Sequence, residues 1–221
     1  PPGHPVLQNS FGVLASIYPS FEDVNCSIHH EVVFMLDRSG SMYGEKLDSA
    51  VKALDTCLHS LPMGCMFNIV GFGDRVESMW SSSKLYGEDT LKYACEQIYT
   101  YDATLGGCDW VKCLDQIYAK SQRQTHALSI FIITDGEAEN PKDIFRYLEP
   151  RAENWRLYTI GIGQQVDEYL LQGAARFGHG QCALLNDPTS LTATLVKMIK
   201  HAIQPVLTNV TVDWQLPAEI V

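Results

Sequence analysis

Long apolar runs and amphipathic stretches alternate along most of the 221-residue chain. Strand-like runs fall at residues 31–37, 65–73, 126–135 and 156–163, with a weaker one at 181–185. Most are continuously apolar rather than alternating, the pattern of strands covered on both faces. Between them, apolar residues recur at steps of three and four. One helix is read from Leu47, Ala50, Val51, Leu54, Leu58 and Leu61, another from Leu91, Ala94, Cys95 and Ile98, and a third from Trp110, Val111, Leu114, Ile117 and Tyr118. Ile144, Tyr147 and Leu148 mark a shorter helix after Pro141. Leu170, Ala174 and Phe177 mark the next, stopped by Gly178 and Gly180. Leu191, Leu195, Met198, Ile199 and Ala202 complete the set before Pro205. Residues 75–80 read as a short edge strand.

Strand–helix alternation of this kind predicts an α/β fold, a doubly wound and mostly parallel sheet with helices on both faces. The two ends break the pattern. Val210, Val212, Trp214 and Leu216 alternate with Thr211, Asp213 and Gln215, the period of a half-buried strand, and Phe11, Val13, Ala15 and Ile17 repeat it. The expected organisation is a flanking β segment or linker at 1–28, the main domain at 29–204 and a second flanking β segment at 205–221. The two flanks are expected to sit together outside the main sheet. Because the chain opens on Pro1-Pro2-Gly3 rather than Met, it is expected to be a piece of a longer protein.

Composition narrows the function classes. With 46% hydrophobic and 19% charged residues the chain is ordinary globular material, and a formal charge of −10 argues against a nucleic-acid or anionic-membrane footprint. No apolar stretch approaches the ~20 residues of a membrane-spanning helix. Seven cysteines without a CxxC pair indicate neither a zinc ribbon nor a complete disulfide framework. Cys57, Cys95 and Cys113 fall on apolar helix faces, as reduced buried thiols do. That pattern favours a cytoplasmic protein, while the sequons at Asn25 and Asn209 keep a secreted alternative open.

Two apolar runs end alike, Phe34-Met35-Leu36-Asp37 and Ile132-Ile133-Thr134-Asp135-Gly136. In an open α/β sheet, loops at the carboxyl ends of strands around the switch point form the ligand crevice, so Asp37 and Asp135 are expected to be neighbours. Two close carboxylates are costly unless a proton or cation separates them. Ser39 and Ser41 add hard neutral oxygens in the same loop, and such a donor set suits Mg²⁺, with Mn²⁺ as a second candidate. Taken alone, Asp37-Arg38-Ser39-Gly40-Ser41 reads equally as an Asx or Ser turn capping the next helix.

These stretches resemble a von Willebrand factor type A (vWA) domain, whose metal-ion-dependent adhesion site reads D-x-S-x-S, then a later Thr, then an Asp after a further strand. The matching segments are VFMLDRSGSM (33–42), FNIVGFG (67–73), LGGCD (105–109), IITDGE (132–137) and YTIGIG (158–163), within roughly residues 30–204. The subgroup most resembled carries an N-terminal VIT domain: inter-α-trypsin inhibitor heavy chains, related intracellular proteins and the vWA region of vault poly(ADP-ribose) polymerase. Tyr18-Pro19-Ser20-Phe21 and VTVDWQLP (210–217) look like the segments bordering the domain there.

The resemblance implies that Ser39 and Ser41 bind the metal directly, and that Asp37 and Asp135 hold it through water or hydrogen bonds. Where the family has Gly-Gly-Thr and an acid, this chain has Gly106-Gly107-Cys108-Asp109. A thiol is a poor partner for Mg²⁺, so a weaker site is expected. Asp109 is a candidate member of the metal loop, although the cap of the helix starting at Trp110 is the reading its position favours. Thr104 is expected to serve the preceding helix end rather than replace the missing hydroxyl. Trp110 is expected to be a core anchor.

Enzyme motifs are missing. A dehalogenase-like phosphatase resembles D-x-D, but the second position here is Ser39. Gly161-Ile162-Gly163 lacks a third glycine, which would fall at Val166, and neither a P-loop nor GxSxG occurs. The sequence therefore predicts a non-catalytic binding module whose ion is completed by an Asp or Glu of a partner protein. Two alternatives stand beside it. One is a scaffold with a degenerate cup, docked to its own VIT domain or a larger assembly. The other is an accessory region of a larger enzyme such as an ADP-ribosyltransferase.

Overall fold

A computed structural model describes residues 29–121, 126–136, 140–151 and 155–204, together with Ser16. Both expected flanking β segments lie outside the described residues. The strands are β1 (His30–Asp37), β2 (Met66–Phe72), β3 (Val76–Ser78), β4 (Lys84–Leu85), β5 (Ala127–Thr134), β6 (Trp155–Ile162) and β7 (Cys182–Leu185). The helices are α1 (Glu45–Leu58), α2 (Glu88–Ile98), α3 (Trp110–Lys120), α4 (Pro141–Leu148), α5 (Glu168–Phe177) and α6 (Leu191–Ala202).

The sheet runs in the order β3-β2-β1-β5-β6-β7. Strands β2, β1, β5, β6 and β7 are mutually parallel, as the continuous apolar runs predict. The edge strand expected at 75–80 is β3, antiparallel to β2. The two-residue β4, also antiparallel to β2, had no sequence signal: Ser81-Ser82-Ser83 reads as loop, and a pair of residues carries no period.

Both faces of β1 are covered. Val32, Phe34 and Leu36 enter one core with residues of α1, α2 and α6, while Val33 and Met35 enter the other with α3, α4 and α5. Trp110 is buried in the second core, edge-on to Phe72. Cys57 and Cys113 are buried as expected, and Cys95 is half-buried. Chain order reverses at β1, since β2 lies on one side and β5 on the other. The crevice of a doubly wound sheet opens at that reversal, beyond the carboxyl ends of β1 and β5.

Candidate metal centre

The pairing Leu36↔Ile133 sets the last residue of β1 beside the last residue of β5. Thr134 thus donates its hydroxyl to Asp37 Oδ2 at 2.5 Å and accepts the Gly136 backbone N–H at 2.9 Å. Gly136 turns the chain with a φ of +90°, and a Cβ there would stand 2.9 Å from the Asp167 backbone nitrogen. Asp37 Oδ1 accepts the Ser39 backbone N–H at 2.9 Å. Burial raises the Asp37 carboxyl above its ordinary value, hydrogen bonds from Thr134 and Ser39 pull it back, and the charge of Asp135 raises it further.

Residues Gly40–Met42 form a single 3₁₀ turn that brings the Ser41 hydroxyl to Asp135. Ser41 Oγ donates to Asp135 Oδ1 at 3.0 Å, and Ser39 Oγ lies 3.0 Å from Ser41 Oγ. With its one proton committed to Asp135, Ser41 accepts from Ser39. Neither serine caps a helix: Ser39 precedes the 3₁₀ turn without a side-chain cap bond, and Gly44 precedes α1. The turn reading holds for one oxygen of Asp37 and fails for both serines.

The third loop is fastened by Arg38, whose guanidinium is buried by its contacts. It donates to the Asp102 carbonyl at 2.8 Å, to Asp102 Oδ1 at 2.6 Å and to Glu77 Oε2 at 2.9 Å, and stacks 4.4 Å from the Tyr101 ring centroid. Backbone bonds from Leu105 N to Arg38 O and from Asp74 N to Leu105 O continue the attachment. Cys108 is thereby held with Sγ 3.6 Å from Asp37 Oδ2, where the thiol donates, while Trp110 Nε1 donates to Sγ at 3.1 Å. Burial and the neighbouring Asp37 charge push this thiol far above its ordinary value, so it stands as a neutral donor rather than a thiolate ligand.

Asp109 points away from that cluster and caps α3, accepting from Lys112 N at 3.0 Å. Thr104 does not serve a helix end. Its hydroxyl donates to Asp102 Oδ1 at 2.7 Å, because Arg38 draws Asp102 into the loop and leaves that carboxylate oxygen within reach.

The structure therefore gathers Asp37, Ser39, Ser41 and Asp135, places Cys108 beside them and leaves Asp109 outside. Three residues escaped the sequence reading. Lys46, in the first turn of α1, donates to Asp135 Oδ2 at 2.8 Å and to Ser41 O at 3.2 Å. Its helical position, five residues beyond Ser41, was the available signal. Thr134 was hidden in an apolar run, although its place beside the second Asp could have marked it. Arg38 clamps a loop that has no periodicity to read.

A cavity of about 550 Å³ opens over this cluster, lined by Ser39, Ser41 and Cys108 on one side and Val166 and Asp167 on the other. The oxygens suit a small hard cation. Adjacent ligands of an octahedral Mg²⁺ with 2.0–2.1 Å bonds stand about 2.9 Å apart, and both the Ser39–Ser41 and Ser41–Asp135 oxygen pairs are spaced at 3.0 Å. The position taken by Cys108 does not suit it, and Lys46 already supplies one positive charge.

Comparison with known proteins agrees with this construction. The family model of the von Willebrand factor type A domain matches residues 30–184. Human von Willebrand factor A domain-containing protein 5B1 is 34% identical over 217 residues, covering 98% of this chain and 18% of that protein. The chain spans about a quarter or less of the length of such curated relatives. Among solved structures, a von Willebrand factor type A protein from Catenulispora acidiphila superposes with a TM-score of 0.72 at 22% identity, over 80% of this chain and 43% of that one. Proximal thread matrix protein 1 from the mussel byssus, solved with a zinc-occupied MIDAS motif, gives 0.65 at 17% identity, over 79% and 46%. With its sheet order, its helices on both faces and the match over residues 30–184, this chain belongs to the von Willebrand factor type A domain family, a fold that mediates protein interactions.

Proposed function

We propose that this domain is a non-catalytic interaction module that holds a divalent cation, Mg²⁺ or Mn²⁺, at the carboxyl edge of its sheet. A carboxylate of a partner protein would complete the ion's shell. The observation that carries this reading is the convergence of Asp37, Ser39, Ser41 and Asp135 beneath an open cavity at the switch point. Ser39 and Ser41 would hold the ion with neutral oxygens, and Asp37 and Asp135 would orient them. The ion supplies an unsaturated positive charge at the mouth of the cavity. Few protein charges around it leave that charge uncompensated, which favours an Asp or Glu side chain from outside. The mussel protein with zinc at its MIDAS motif supports metal use at this place in the fold.

A second reading is favoured by Cys108 and Lys46: a scaffold in which the lysine ammonium takes the cation's part. Such a domain would dock through its helices to a VIT domain or a larger assembly, or serve as an accessory region of a larger enzyme. Free thiols at Cys57, Cys65, Cys95, Cys108, Cys113 and Cys182 support a cytoplasmic setting for either.

Selection of phage-displayed peptides on the immobilised 221-residue chain in Mg²⁺ separates the two. The module reading expects clones that release in EDTA and that need one Asp or Glu, lost on changing the acid to its amide. Clones indifferent to both treatments would favour the scaffold.

A further inference from the structure

Helix α1 starts at the cup and ends against α2, and at that far end three metal-ligating side chains meet. Asp55 and His59 are one turn apart along α1 and its C-cap, and Cys95 faces them from α2. A carboxylate oxygen of Asp55, a ring nitrogen of His59 and Cys95 Sγ all lie within 4.8 Å of one another. His59 Nδ1 is 4.0 Å from Asp55 Oδ1, while the other oxygen, Oδ2, accepts the Tyr99 hydroxyl at 3.2 Å. Tyr99 thus orients the carboxylate with one oxygen towards the imidazole, as outer partners of metal ligands do. The cluster is open on the imidazole side, where His59 is 58% exposed, so an ion can enter and keep water in the remaining position.

We infer that Asp55, His59 and Cys95 form a second cation site, selective for a borderline divalent transition metal such as Zn²⁺ or Co²⁺, which pins α2 to the end of α1. One oxygen, one imidazole nitrogen and one sulfur are the donor types of such ions, whereas Mg²⁺ takes oxygens only. On binding, the Cys95 S–H bond breaks, sulfur keeps the electron pair to form the S–metal bond, and the proton leaves to solvent. From Lys46 to Asp55 a helix rises about 14 Å, so this site and the cup are separate.

Co²⁺ titration of the chelator-stripped 221-residue chain tests the site through the sulfur-to-cobalt charge-transfer absorption. The expected result is a saturable band that Cys95→Ser abolishes, and that His59→Ala weakens by about tenfold or more in affinity. Cys108→Ala and Asp135→Asn, which alter the cup, should leave the band intact. A parent without the band overturns the site. So does a band that survives Cys95→Ser and vanishes in Cys108→Ala, which would place the cobalt in the cup. An unchanged affinity in His59→Ala, an exposed change with little effect on folding, would show that the imidazole merely caps its own helix through the 2.8 Å contact with the Asp55 carbonyl.

Discussion

Strand β1 carries a buried acid near each end, and the two meet opposite fates. Glu31, at the amino end, accepts the Ser83 hydroxyl beside a space of only about 10 Å³, which admits no ligand. Asp37, at the carboxyl end, is equally buried but lies beside a second carboxylate and beneath Ser39 and Ser41, which line a cavity of about 550 Å³. A buried carboxylate is therefore not in itself a sign of function. What distinguishes Asp37 is topology: chain reversal at β1 brings a second strand's loop to the same edge, and at that end of β1 charged groups from distant segments converge on an opening.

Changing the acids one at a time separates structure from binding. The largest expected effect is that of Asp135→Asn, which keeps an acceptor for Ser41 but removes a charge. Mg²⁺ affinity should fall about 100-fold, equivalent to ~2.7 kcal/mol, with melting in chelator little changed. Glu31→Ala should do the reverse. Leaving the Ser83 hydroxyl buried without this acceptor costs about 1–3 kcal/mol, or about 2–4 °C of melting temperature per kcal/mol, while the Mg²⁺ isotherm stays that of the parent. Loss of metal binding in Glu31→Ala would erase the distinction between the two ends.

Lys46→Met sharpens the comparison from the other side. The ammonium that neutralises Asp135 competes with an incoming cation, so its removal should tighten Mg²⁺ binding by about tenfold, ~1.4 kcal/mol. Weaker binding would instead mean that Lys46 shapes the cup. The smallest effect concerns acidity. Because the folded-state value of Asp37 is raised above the ordinary 3.8, the native state binds that proton more readily than the unfolded chain. In chelator, this contribution to stability is greatest below the ordinary value and is lost as pH rises through the raised one. Asp37→Asn should therefore melt higher than the parent at neutral pH in chelator, while losing Mg²⁺ binding. Equal melting curves would show that Thr134 and Ser39 already offset the desolvation.

Much of this was legible in the chain. Continuous apolar runs ending in Asp37 and Asp135 revealed both the parallel sheet and the edge where the two acids meet, because strand burial on two faces and termination at a polar residue are local properties. Lys46, Thr134 and Arg38 were not legible as site residues. Their roles depend on which loops the sheet order brings together: Arg38 is a surface-type residue by composition, yet it is buried by Asp102 and Glu77, which are distant in sequence. Thr104 was misread although its partner Asp102 is only two positions away, because it is Arg38, distant in sequence, that draws Asp102 into the loop. Asp109 was read both ways, and three-residue spacing to Lys112 turned out to describe a helix cap.

Calorimetric titration of the chelator-stripped 221-residue chain with Mg²⁺, run beside Cys108→Thr, tests the cup most directly. A hydroxyl in place of the thiol returns a hard oxygen next to Asp37, worth on the order of a kcal/mol. The expected result is weak saturable binding in the parent, about tenfold tighter binding in Cys108→Thr, and loss of that gain when Ser39→Ala is added. Absence of saturable Mg²⁺ binding in both folded forms would contradict a metal-holding cup and leave the Lys46–Asp135 ion pair as the site's resting design.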